Sequence, residues 1–173
     1  MLSAIARIML TASAIAPIAF TYAWVAYTQD EKTVAVVALL SGATAVAACI
    51  MVLRSAQKNL ERMSFKPKSI EAADRENIGF MVLYLLPLFT DKINTLNWAL
   101  WVPTVLVFSV ITAFGYSYHF NPLLGIIGWH FYKVESDEGV TYVVITRKHL
   151  RAASQVLTVG QLTEYILIDL EGR

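Results

Sequence analysis

Charge is absent from four long stretches of this 173-residue chain: Ile8–Gln29, Thr33–Leu53, Asn77–Thr90 and Ile93–Tyr132 contain no Asp, Glu, Lys or Arg. A helix rises 1.5 Å per residue, so about 20 apolar residues cross a hydrocarbon core of about 30 Å. The first two stretches match that length and are expected to be transmembrane helices at about 8–29 and 33–53. Asp30-Glu31-Lys32 leaves room only for a tight helical hairpin between them. The fourth stretch is twice as long as needed and is punctuated by Asn121-Pro122, Gly125 and Gly128, so a span at about 96–118 followed by an irregular exit is expected. The third is short and contains Pro87. It becomes a span at about 77–93 if Arg75 and Lys92 snorkel to the two interfaces.

The N-terminal stretch has features of a removable signal, with Arg7 ahead of an apolar run and Ala14-Ile15-Ala16 inside it. Pro17 directly after the potential cut and the length of the run favour a retained span. Basic residues set the orientation. Arg54, Lys58, Arg62, Lys66, Lys68 and Arg75 lie between spans two and three, and Lys133, Arg147, Lys148, Arg151 and Arg173 follow span four. With four crossings the positive-inside rule puts both termini in the cytoplasm. A re-entrant third segment would instead put the tail on the opposite side from the 54–76 loop. Trp24, Tyr27, Trp98 and Trp101 all fall at the outer interface of the four-span arrangement, where aromatic rings anchor helices.

Hydrophobic residues make up 57% of the chain and charged residues 16%, against about 25% charged in a soluble domain. The net charge of +1 gives no general electrostatic attraction to nucleic acid. No nucleotide-binding glycine loop, zinc-ligand spacing or nucleophile elbow occurs. His119, His130 and His149 are widely spaced, and His119 and His130 read as structural groups at the inner interface, not as metal ligands. Cys49 is the sole cysteine and reads as a small apolar residue of span two or a palmitoylation site. No enzyme activity, catalytic residue, cofactor or metal is expected. The spans lack the midplane charges that proton-coupled transporters keep. A pore lined by hydroxyls such as Thr11, Ser13, Ser41 and Thr44 stays open.

The fold class expected is therefore an all-α four-helix transmembrane bundle (1–120) with a small cytoplasmic β-rich tail (121–173). Loop 54–76 reads as two helical extensions meeting at Lys66-Pro67-Lys68. In the tail, Trp129–Glu135, the turn Ser136–Gly139 and Val140–Thr146 form a hairpin, with further strands at Gln155–Val159 and Glu164–Leu170. So small a sheet must pack on its own membrane ends, a neighbouring subunit or a partner. Tyr165, Ile166, Leu167 and Ile168 read as a strand edge, open to a partner or covered within the chain. Arg147, Lys148 and Arg151 point to lipid headgroups or a partner. Small residues at four-residue spacing, Ala12/Ala16, Ala19/Ala23 and Ala38/Gly42, let helices approach closely, within the chain or between copies.

Asn121–Gly125, Trp129–Glu135, Val140–Lys148 and Gln161–Asp169, with the four-span layout, resemble the KwaA family, the membrane subunits of the bacterial Kiwa anti-phage defence system. The resemblance implies a homo-oligomeric inner-membrane sensor, such as a tetramer, that works with a soluble DNA-binding partner of the KwaB type. From the residues themselves, the basic collar and tail are expected to meet membrane lipids, and the balanced charge of the tail argues against direct nucleic-acid contact.

Overall fold

The computed structural model describes residues 2–73, 106, 109, 121–150 and 156–171. The predicted spans 77–93 and 96–118 therefore lie outside the described residues, apart from the helical Leu106 and Ser109, as do Trp98, Trp101, His119 and Arg151.

Two long helices form an antiparallel pair, α1 (Leu2–Thr28) and α2 (Lys32–Asn59). Both are long and apolar enough to span a membrane. They are joined at Asp30, whose φ of +65° is a left-handed conformation that a short polar side chain tolerates. Small residues bring the helices together. Gly42 meets the Phe20 ring so closely that an added Cβ would stand 2.8 Å from it. Pro17 lies within α1. The lost backbone bond is accompanied by Thr21, whose Oγ1 donates to the Pro17 and Ile18 carbonyls at 3.2 and 3.0 Å.

A short helix, α3 (Pro122–Ile126), begins the second half. Its start follows from Asn121-Pro122: asparagine caps the helix, its Oδ1 accepting from the Leu124 N–H at 3.2 Å, and proline occupies the first turn, where no amide hydrogen is needed.

Six strands follow the order β1-β5-β6-β4-β3-β2: β1 (Met63–Phe65), β2 (Ser69–Ala72), β3 (His130–Glu135), β4 (Thr141–Thr146), β5 (Leu157–Thr163) and β6 (Ile166–Asp169). The β3–β4 hairpin falls where the sequence places it. Gly139 takes a φ of +81° and the Ser136 N–H reaches the Val140 carbonyl at 2.9 Å. β5 and β6 match the further tail strands with shifted ends.

Loop 54–76 differs from expectation. The helix continues only to Asn59, Leu60 turns to extended backbone, and the loop supplies β1 and β2 instead of a second helix. The reason is tertiary: Phe65 and Ile70 reach an apolar cluster formed by the tail, which a helix broken at Pro67 would not fill.

β1 and β2 lie on opposite edges of the sheet yet are joined only by Lys66-Pro67-Lys68. A flat sheet of six strands is about 24 Å wide, at about 4.8 Å per gap. Four Cα steps from Phe65 to Ser69 reach at most about 14 Å. The sheet must therefore curl until its edges approach, with β1 and β2 as the halves of one bent strand. Counted so, the barrel has five strands in the order 1-2-3-5-4 and back to 1, with the parallel pair β4–β6 as strands three and five. This is the connectivity of an OB-type Greek-key barrel. Its interior holds Phe65, Ile70, Val134, Val144, Val159 and Leu167, drawn from every strand. Its outer face puts Phe131, Ile145, Leu162 and Ile168 into a second core with Ala6 and Leu10 of α1 and Leu53 and Ala56 of α2.

The tail thus rests on the ends of its own helices. Because Ala72 pairs with Tyr132, the loop and the tail also share one side of any membrane. The arrangement with the tail on the opposite side is excluded.

Candidate interaction surfaces

The small residues of the helical pair divide by burial. Ala16, Ala23, Ala38 and Gly42 are buried, Gly42 against Phe20 of α1, whereas Ala12 and Ala19 are half-buried. Val36, Val37, Leu39, Leu40 and Met51 form an exposed apolar surface on α2 among the described residues. At the hairpin end Trp24 and Tyr27 stand exposed with ring centroids 6.4 Å apart.

At the other end the helices enter the barrel core, and polar side chains tie the parts together. The Asn121 Nδ2 donates to the Ser13 Oγ at 2.6 Å, both groups buried, which fixes the start of α3 against α1. The Gln57 Nε2 donates to the Asp169 carbonyl at 2.9 Å and ties α2 to β6. Asp169 is itself 1% exposed. One carboxylate oxygen accepts from the Thr146 hydroxyl at 2.7 Å and the other from the Glu171 N–H at 2.9 Å. Sequence reasoning passed over this residue. The available signal was an acidic side chain closing the apolar run Ile166-Leu167-Ile168.

Of the tail residues expected to meet a partner, Arg147 and Lys148 are exposed just beyond β4, at the barrel end nearest the helices. The Arg147 guanidinium lies 5.7 Å from the Trp129 ring centroid, within cation–π range. His149 stacks on His130 with centroids 4.2 Å apart. Among the described residues no group of three or more His, Cys, Asp or Glu is placed to hold a metal ion.

The strand edge expected at Tyr165–Ile168 is a correction. β6 is an inner strand, parallel to β4 on one side and antiparallel to β5 on the other. Ile166, Leu167 and Ile168 are consequently buried, and cover comes from within the chain. Tyr165 alone remains at the surface, 43% exposed in the β5–β6 turn.

There it joins a feature invisible in the sequence. The Tyr142 ring lies 6.3 Å from Tyr165 and meets Phe65 edge-on at 5.8 Å, so residues far apart in the chain form one aromatic cluster at the end of the barrel away from the helices. Lys66 and Lys68 flank it, both exposed.

OB-type barrels bind oligonucleotides on the outer face of their second and third strands. In this chain those strands are β3 and β4, and Phe131, Val143 and Ile145 on that face are buried against the helix ends. A family model described as anti-phage protein KwaA matches residues 6–168, which include nearly all of α1, the whole of α2, the loop strands and nearly all of the sheet. No curated protein and no solved structure matches the chain.

Proposed function

Since the chain belongs to the KwaA family of anti-phage proteins, we propose that it is a non-enzymatic inner-membrane sensor and scaffold of anti-phage defence. In this reading it oligomerises and recruits a soluble DNA-binding effector of the KwaB type, with both termini in the cytoplasm.

One observation carries the proposal. The ends of two span-length helices and the outer face of the barrel share a single core, in which Leu10 and Leu53 pack with Phe131 and Ile168. Close-packed interiors transmit displacement. A shift of α1 against α2, forced by a disturbed envelope, therefore moves the barrel as a body. The buried β3–β4 face supports a protein partner over direct nucleic-acid contact. Two surfaces divide the remaining work: Arg147 and Lys148, next to the helices, meet anionic headgroups, and Tyr165 and Tyr142, backed by Phe65, meet the effector. Oligomerisation uses the outward apolar face of α2 and half-buried small residues such as Ala12 and Ala19.

The test is gentle solubilisation from the native host with the flanking genes present, followed by mass spectrometry of what co-purifies. A soluble DNA-binding protein should accompany an oligomeric core. Replacing Tyr142 and Tyr165 together with serine should remove that protein while the core still assembles. A wild-type oligomer without any soluble companion overturns the scaffold reading. It would turn attention to conductance in planar bilayers, which a homo-oligomeric pore predicts.

A further inference from the structure

We infer that the tip of α3 is an interfacial foot: Ile126 and Ile127 insert into the leaflet on which the barrel stands. The inference rests on the membrane reading of α1 and α2 and goes beyond it, since nothing in that reading assigns these two residues a role.

Adjacent isoleucines in a structured turn are usually buried, because each removes a large apolar surface from water. Here Ile126 is 82% exposed and Ile127 40% exposed. The turn is firmly built. The Ile127 N–H bonds the Leu123 and Leu124 carbonyls, the Trp129 N–H bonds the Leu124 carbonyl, and Gly128 closes the turn at a φ of +89°. Leu124 and Trp129 point into the core shared with the helices, so the two isoleucines are held facing away from it.

Depth follows from counting residues. From the Asp30 turn, about 20 residues back along α1 cover about 30 Å and reach Leu10. The same count along α2 from Lys32 reaches Val52. The first charges beyond these limits are Arg7 and Arg54. Asn121 is hydrogen-bonded to Ser13, six residues or about 9 Å to the membrane side of Arg7. The start of α3 therefore lies just inside the hydrocarbon boundary, and its five residues occupy the layer where amphipathic segments bury their apolar side by about 5–10 Å.

The neighbours are those of an interface. Arg147, whose guanidinium lies 5.7 Å from the centroid of the buried Trp129 ring, and the next residue, Lys148, are both exposed, cations that suit anionic headgroups above apolar chains.

The experiment uses the full chain carrying Ile126→Cys. Cys49 is buried, and unsubstituted protein treated identically gives the background. The new thiol is labelled with bimane and the protein reconstituted into vesicles of phosphatidylethanolamine and phosphatidylglycerol. Nitroxide lipids labelled near the headgroup end or the far end of the acyl chain report depth, and iodide reports water. Loss of emission with the shallow nitroxide, less with the deep one and none with iodide is expected. Glu138→Cys, in the turn at the far end of the barrel, should show the reverse. Quenching of the Ile126 label by iodide overturns the inference, as does protection from all three quenchers, which would mean cover by protein. Release of the chain from vesicles at alkaline pH would instead overturn the membrane reading, and the inference with it. Retention at alkaline pH with a water-exposed label sinks the inference alone.

Discussion

A buried carboxylate is stable only when its oxygens are met by donors, and Asp169 is met by the Thr146 hydroxyl and the Glu171 amide. Replacing Thr146 with valine keeps the shape and removes the donor. It also takes an acceptor from the Lys148 N–H, which bonds the same hydroxyl at 3.0 Å. Leaving a buried acceptor unmet costs about 1–3 kcal/mol. Chemical denaturation of the detergent-solubilised protein should therefore show Thr146→Val less stable by that order and Thr146→Ser close to wild type. Equal stability of all three would show that the Asp169 contact contributes nothing. None of this was legible in the sequence, where Thr146 closes one apolar strand and Asp169 another; only the parallel pairing of β4 with β6 brings them together. The aromatic cluster of Phe65, Tyr142 and Tyr165 was illegible for the same reason. The exposed position of Trp24 and Tyr27 at the end of α1 was legible, because it follows from local sequence.

At the scale of elements, periodicity sufficed wherever an element forms by itself. α1 and α2 run through the first two charge-free stretches, and the β3–β4 hairpin follows from branched and aromatic runs around a turn closed by glycine. It failed for β1 and β2. The two strands and their linker carry Lys66, Lys68 and Glu71 among Met63, Phe65 and Ile70, a mixture that resembles a solvated collar until β3 and β5 supply backbone partners. For β6 it left two readings, an edge open to a partner or one covered within the chain, and the strand is central, paired on both sides within the chain. The docking of α2 on the barrel adds a close approach the sequence hides. A Cβ at Gly160 would stand 2.7 Å from the Leu60 Cβ and 3.3 Å from the Leu170 Cδ2. The Leu60 atom is fixed to the backbone and cannot swing aside. Gly160→Ala should therefore pry the end of α2 from β5 at a cost of about 1–3 kcal/mol, read as a lower midpoint of thermal unfolding. An unchanged midpoint would mean that the two elements part without loss.

For the whole molecule, the shared sheet puts Lys68, Arg147 and Lys148, all exposed, on one side of any bilayer that the helices cross. With that side cytoplasmic, trypsin should cleave the chain in inverted membrane vesicles and spare these sites in spheroplasts. The opposite pattern would reverse the proposed orientation. The barrel also has a history written into its order. Its first strand leaves the ribosome before residues 73–129 and its remaining strands after them, so β2 cannot find β3 until that intervening segment has been delivered. If the segment makes an odd number of crossings, the two ends are stranded in different compartments. Val134, Val144, Val159 and Leu167 then have no interior to enter, and the chain is left as a substrate for quality-control proteases. The bent strand thus acts as a parity check on biogenesis: a properly closed barrel certifies that insertion went right.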